Sequence, residues 1–178
     1  MTDKVLAAFL ERQYEEGMAL ARESDLLDLQ PGGGPPVQRY LARFHCFLLS
    51  RRPEGEIVKT EGATVGIFFD DEYLRRVDPY TAVVWLCRPE FTWHPNISNR
   101  APLVCLGRLA PGTGLVDILY QIFEILTYQR YATHDALNTD AAAWARQHQD
   151  QFPVDARPLK RRTRQFTIEE PAAAGGEA

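Results

Sequence analysis

The chain has only three cysteines, Cys46, Cys87 and Cys105, and no Cys-x-x-Cys pair. An odd count without that pairing excludes a disulfide framework and a structural zinc site, and it predicts a reducing compartment in which a thiol stays free. Positive charge is also short: 20 Lys and Arg against 24 Asp and Glu leave a net charge of −4. A dedicated nucleic-acid binder needs a basic face for phosphates, so that class is excluded. Long apolar runs are missing as well. The first 25 residues carry Glu11, Glu15, Glu16 and Glu23, which a secretory apolar segment does not tolerate, and no later run is long enough to span a bilayer. Together these absences predict a soluble, cytoplasmic protein without metal, cofactor, membrane or nucleic-acid partner.

What is present is enough apolar content, 45% of 178 residues, for one core and one domain. Residues 3–23 fit an amphipathic helix, with Thr2 or Asp3 as cap and Leu6, Phe9, Leu10, Leu20 and Ala21 on one face. The Gly/Pro-rich stretch from Gln30 to Pro36 predicts a loop. From Tyr40 to Leu49 the residues alternate, with Tyr40, Ala42, Phe44, Cys46 and Leu48 facing a core. Arg52-Pro53-Glu54-Gly55 predicts a turn, and Ala63 to Phe69 and Tyr80 to Cys87 two further strands of an antiparallel meander. Cys87 shares a strand side with Val83 and Trp85, which assigns it a structural role.

Leu115, Ile118, Leu119, Ile122, Ile125 and Leu126 recur at helical spacing within 114–128, with Asp117 complementing the dipole of the first turn. A last helix, about 139–151, begins after Asn138 as cap, is anchored by Trp144 and is closed by Pro153. These elements predict one folded domain over 1–155. Beyond it, at 156–178, a basic cluster around Lys160-Arg161-Arg162-Thr163-Arg164 and an Ala/Gly/Glu-rich end predict a flexible tail.

The most specific stretch runs from Phe91 to Asn138. Trp93-His94-Pro95-Asn96 is followed by Leu103-Val104-Cys105-Leu106, a Gly/Pro turn at Pro111 to Gly114, the apolar helix, and Asp135-Ala136-Leu137-Asn138. In order and spacing this resembles the catalytic core of the ubiquitin-conjugating (E2) enzymes, in particular the E2-like proteins of bacterial operons that encode ubiquitin-like conjugation in antiphage defence. The resemblance implies an α+β, UBC-like fold: N-terminal helix, antiparallel meander, central crossover helix and C-terminal helix. It implies three partners, namely an E1-like activating enzyme, a ubiquitin-like modifier protein and a target protein amine.

It also implies roles for residues. Cys105 would carry the modifier as a thioester; an ordinary thiol is already a few per cent thiolate at neutral pH and needs no dedicated base. Asn96 would donate to the oxyanion formed in transfer, with loop stabilisation through turn hydrogen bonds as the alternative. His94 would organise the loop and Pro95 fix its backbone. Asp135 would position the incoming amine and accept its proton, with His134 a second candidate and helix capping the alternative. Two rival readings share these residues: a non-catalytic E2 variant that only binds, and a thiol hydrolase using Cys105, His94 and Asp135.

Overall fold

The computed structural model describes residues 3–77, 84–132 and 134–161. In chain order it contains α1 (Lys4–Arg22), β1 (Leu27–Gly32), β2 (Arg39–Arg51), β3 (Ile57–Phe68), β4 (Val84–Arg88), α2 (Leu115–Leu126) and α3 (Thr139–Gln147). The strands form one antiparallel sheet in the order β1-β2-β3-β4. The class is therefore α+β.

α1 starts because the Asp3 carboxylate accepts from the Val5 amide at 2.9 Å, supplying one of the donors that a helix start leaves open. Its buried residues, Leu6, Phe9, Leu10, Gln13, Gly17 and Leu20, recur at helical spacing. Two of them are not apolar, and both serve the contact with α2. Gly17 lies where a Cβ would stand 2.6 Å from Leu115 Cδ2, so only a hydrogen fits between the helices. Gly114, before α2, has no side chain to cap it; instead Gln13 Oε1 reaches across from α1 and accepts from the Leu115 amide at 2.7 Å.

α2 supplies the centre of the core. Leu115, Ile118, Leu119, Ile122 and Ile125 are fully buried, at about 1.5–3 kcal/mol each. They face Tyr40, Ala42, Phe44, Cys46 and Leu48 of β2, the predicted inner side of that strand.

Four points differ from the sequence expectations. The stretch from Gln30 to Pro36 is not all loop: Gln30, Pro31 and Gly32 pair with Leu41, Tyr40 and Arg39. Proline is tolerated because β1 is an edge strand. The meander thus has a strand before the expected three. The last helix ends at Gln147, and Gln149–Gln151 form a separate 3-10 turn after His148. Packing also continues past the expected boundary at 155. Leu159 is buried in the main core, the Arg161 amide donates to Glu23 O at 2.9 Å, and Lys160 and Arg161 pair with Glu23 and Asp25. Thr2, residues 80–83, the side chain of Cys87 and the stretch from Arg162 onward lie outside the described residues.

Both flanks of the sheet lead towards the Trp93–Cys105 stretch. The end of β2 extends beyond β1 and pairs with the chain ahead of His94: Arg51 N donates to Phe91 O at 2.8 Å and Trp93 N to Leu49 O at 2.7 Å. On the other flank, Leu86 N donates to Pro102 O at 2.8 Å and Val104 N to Val84 O at 3.2 Å, so residues 102–104 cover the outer edge of β4.

Candidate active site

The chain turns tightly at His94, where the Ile97 amide donates to His94 O at 3.1 Å. It then runs back against residues 103–105 through a bridge between Ile97 and Val104. This short ladder ends at Cys105, whose amide donates to Asn96 O at 2.8 Å. Cys105 is partly exposed, whereas Val104 and Leu106 on either side are buried. The apolar neighbours hold the segment down and leave the thiol at the surface.

Asn96 is nearly buried and both ends of its side chain are engaged. Nδ2 donates to Cys105 O at 3.0 Å, and Oδ1 accepts from the Ala132 amide at 2.7 Å. It therefore ties the cysteine segment to the turn that follows α2. An amide group has two N–H donors, and the bond to Cys105 O uses one.

His94 is sealed from solvent. Its Nδ1 accepts from the Asn96 amide at 3.0 Å, which puts the neutral ring's proton on Nε2. Nε2 faces the Arg130 backbone without a well-formed hydrogen bond, a contact that opposes part of the effect of burial on the ring. Burial pushes the imidazole pKa down from 6.5 to about 3, so the ring stays neutral and braces its own loop. It lacks the solvent contact and basicity that a Cys-His-Asp hydrolase asks of its base.

The depressed pKa makes a testable demand on stability. Below pH 6.5 the unfolded chain gains a proton on this histidine that the folded chain refuses until about pH 3. The contribution is complete above pH 6.5 and is lost as pH falls, at up to about 1.4 kcal/mol per pH unit. Urea unfolding at pH 5 is therefore expected to give a stability about 2 kcal/mol lower than at pH 7. In His94→Gln that acid-side loss shrinks by the same amount; an unchanged pH slope would overturn the assignment.

Tyr128 holds the histidine from above. Its ring meets His94 edge to face, with centroids 4.3 Å apart, its hydroxyl donates to Trp93 O, and burial pushes its phenol pKa far above the ordinary value. The backbone of Tyr128 is left-handed, with φ of 58°, a conformation that a bulky residue adopts only when its surroundings require it. Those surroundings are a second apolar cluster in which Leu49, Trp93, Tyr128, Ala141 and Ala145 pack with Trp144 and Phe152.

Arg130 completes the clamp. Its guanidinium donates to Leu106 O at 3.2 Å and to Gln121 Oε1 at 3.1 Å. Gly107, next along the chain, has φ of 86°, and a Cβ there would stand 3.3 Å from Arg130 Nη2. Residues 128, 130 and 132 thus grip, in turn, the chain before His94, the carbonyl after Cys105 and the Asn96 side chain.

Asp135 and His134 are exposed, and Asp135 is left-handed with φ of 53°, which Asp tolerates better than most residues. Among the described residues Asp135 makes no hydrogen bond to the cysteine segment. Its loop is nevertheless fixed at both ends, by Ala132 on Asn96 and by Asn138, whose amide donates to Pro95 O at 3.1 Å. The cap of α3 is Asn138, whose side chain accepts from Ala141 N at 3.0 Å, so capping does not occupy Asp135.

His94, Asn96 and Cys105 therefore form one bonded unit, with Asp135 on an adjoining, tethered loop. No family model matches this chain and no curated protein sequence does. Among solved structures it is similar to the E2 domain of a ubiquitin-conjugating enzyme from Toxoplasma gondii, at 19% identity and a TM-score of 0.52, over 80% of this chain and 88% of that one. The chain shares the fold of an E2 domain. Within that fold, Asn96 and Cys105 stand out in the sequence, whereas Tyr128, Arg130 and the Ala132 amide do not. Their one local signal was Gly107, a glycine placed directly after the Cys-Leu pair. Among the described residues no group of His, Cys, Asp and Glu could hold a metal ion, and no helix is long and apolar enough to cross a membrane.

Proposed function

We propose that this chain is an E2-like conjugating enzyme. The Cys105 thiolate attacks the C-terminal carbonyl of a ubiquitin-like modifier held as a thioester on an E1-like enzyme, and the E1 thiolate leaves. A target amine then attacks the Cys105 thioester. The C–S bond breaks, an amide forms and the amine proton departs, with Asp135 the residue proposed to accept it. The reading extends, through the sequence resemblance, to a bacterial antiphage conjugation pathway.

The observation that carries it is a partly exposed thiol at the end of a ladder whose last carbonyl is held by Asn96, on an E2 fold. The free donor of Asn96 is then available to an oxyanion formed on Cys105. Against the hydrolase reading stands the sealed, weakly basic His94.

The test mixes the protein with ATP, an E1-like enzyme and a ubiquitin-like modifier. A covalent adduct that dithiothreitol removes is expected. Release of free modifier without an adduct would favour hydrolysis; conjugation that persists in Cys105→Ser would favour a binding-only role.

A further inference from the structure

The positive charge of this chain is almost all arginine. Of its 20 Lys and Arg residues only Lys4, Lys59 and Lys160 are lysines, and the hundred residues between the last two hold eight arginines and no lysine. The whole candidate site, from Trp93 to Asn138, lies in that interval.

The three lysines are engaged elsewhere. Lys4 begins α1, the Lys59 ammonium lies over the Phe47 ring, 4.1 Å from its centroid, and Lys160 is paired with Glu23 at 2.7 Å. None of these contacts reaches the Cys105 segment. The cations beside the thiol are Arg108 and Arg130, both exposed. Arg108 follows Cys105 by three residues, so their Cα atoms are at most about 11 Å apart. Arg130 Nη2 stands 3.2 Å from Leu106 O, one residue past the thiol.

Contacts explain only one of these arginines. Arg130 uses its fork on Leu106 O and Gln121 Oε1, which an ammonium reproduces in part. The Arg108 side chain makes no hydrogen bond or ion pair among the described residues, so the fold would accept a lysine there equally well. The two cations differ in reactivity. A lysine ammonium has a pKa of about 10.4, which leaves a small fraction of free, nucleophilic amine near neutral pH, whereas a guanidinium is not deprotonated in proteins. Proximity makes that small fraction matter, because a well-oriented group in the same molecule acts at an effective concentration of about 10⁵ M or more.

We propose that Arg108 and Arg130 are specificity-determining residues: they keep positive charge around Cys105 while denying its acyl group an acceptor within the same chain. The proposal rests on the transfer reading for its purpose, and its geometry can be tested without it. With a lysine at either position, the neutral amine attacks the acyl carbonyl, the C–S bond breaks and the Cys105 thiolate leaves. The amine proton goes to solvent, and the chain is left modified on itself by a stable amide.

The experiment compares the full wild-type chain with Arg108→Lys, Arg130→Lys and Arg108→Gln, each loaded by the E1-like enzyme and then freed of ATP without an added amine. In both lysine variants the thioester is expected to disappear about tenfold faster than in the wild type, at a rate independent of protein concentration. Mass spectrometry then finds a dithiothreitol-resistant amide at the introduced lysine. Arg108→Gln, which removes the charge and adds no amine, keeps the wild-type lifetime. An unchanged lifetime in both lysine variants, or an equal shortening in Arg108→Gln, would overturn the proposal, as would equally fast amide formation on Lys4, Lys59 or Lys160 of the wild type. A second arm needs no E1-like enzyme: a peptide aryl thioester exchanges onto Cys105 with release of the aryl thiol, and the lysine variants are expected to convert that S-acyl adduct to an amide. If the E1-driven adduct never forms, the transfer reading fails while this arm still decides whether an acyl group on Cys105 reaches positions 108 and 130.

Discussion

Cys105→Ala is expected to leave the protein folded and to abolish the reductant-sensitive adduct completely. The fold should survive because this residue is held through its backbone, by Asn96 O on its amide and Asn96 Nδ2 on its carbonyl, and not through a buried side chain. A partly exposed position of this kind changes stability by no more than about 0.5 kcal/mol, measurable as an unshifted urea midpoint. No other described thiol can take over. Cys46 is 1% exposed on the inner side of β2, and burial pushes its thiol pKa up to about 12, so it offers almost no thiolate at neutral pH. Cys105→Ser separates the roles of sulfur and position. An oxyester that resists dithiothreitol but is cleaved by base would place the attacking atom at this residue. A dithiothreitol-sensitive adduct on Cys105→Ala would refute the assignment.

Asn96→Ala should give the next largest effect, a fall of about 10²- to 10³-fold in discharge to an amine. Two causes contribute and can be separated. The substitution removes the donor available to an oxyanion, and it also removes two hydrogen bonds, to Cys105 O and from the Ala132 amide. The second loss costs about 1 kcal/mol, because a partly buried amide and carbonyl lose their partner. Asn96→Asp keeps the acceptor for Ala132 and loses the donor. It is expected to recover part of the stability and none of the discharge rate. If rate and unfolding midpoint recover together in Asn96→Asp, the side chain acts through the loop alone and the oxyanion role is refuted.

Local pattern and nonlocal pairing explain what could be read from the sequence. The alternation from Tyr40 to Leu48 and the helical spacing from Leu115 to Leu126 are short-range signals, and they identify core faces that the structure shows buried. The order His94-Pro95-Asn96 and then Cys105 likewise marked a segment that proves to be one bonded unit. β1 was hidden because Pro31 and Gly32 advertise a turn, and their strand partners lie in β2. Tyr128 gave no warning of a left-handed backbone, since its strain is offset by contacts with His94 and Phe152, both distant in sequence. The Asn96–Ala132 and Arg130–Leu106 bonds join residues 36 and 24 positions apart, and no periodicity encodes such pairs. Leu159 looked like part of a polar tail because its burial depends on a core built by residues far from it in sequence.

Pro31 at the free rim of the sheet has a consequence for behaviour in concentrated solution. A strand lacking that N–H cannot be extended by a second copy in continuous register, and the opposite rim is already occupied by residues 102–104. Growth of the sheet from molecule to molecule is disfavoured on both sides, which leaves the partly exposed Cys105 thiol on a surface that has little tendency to polymerise.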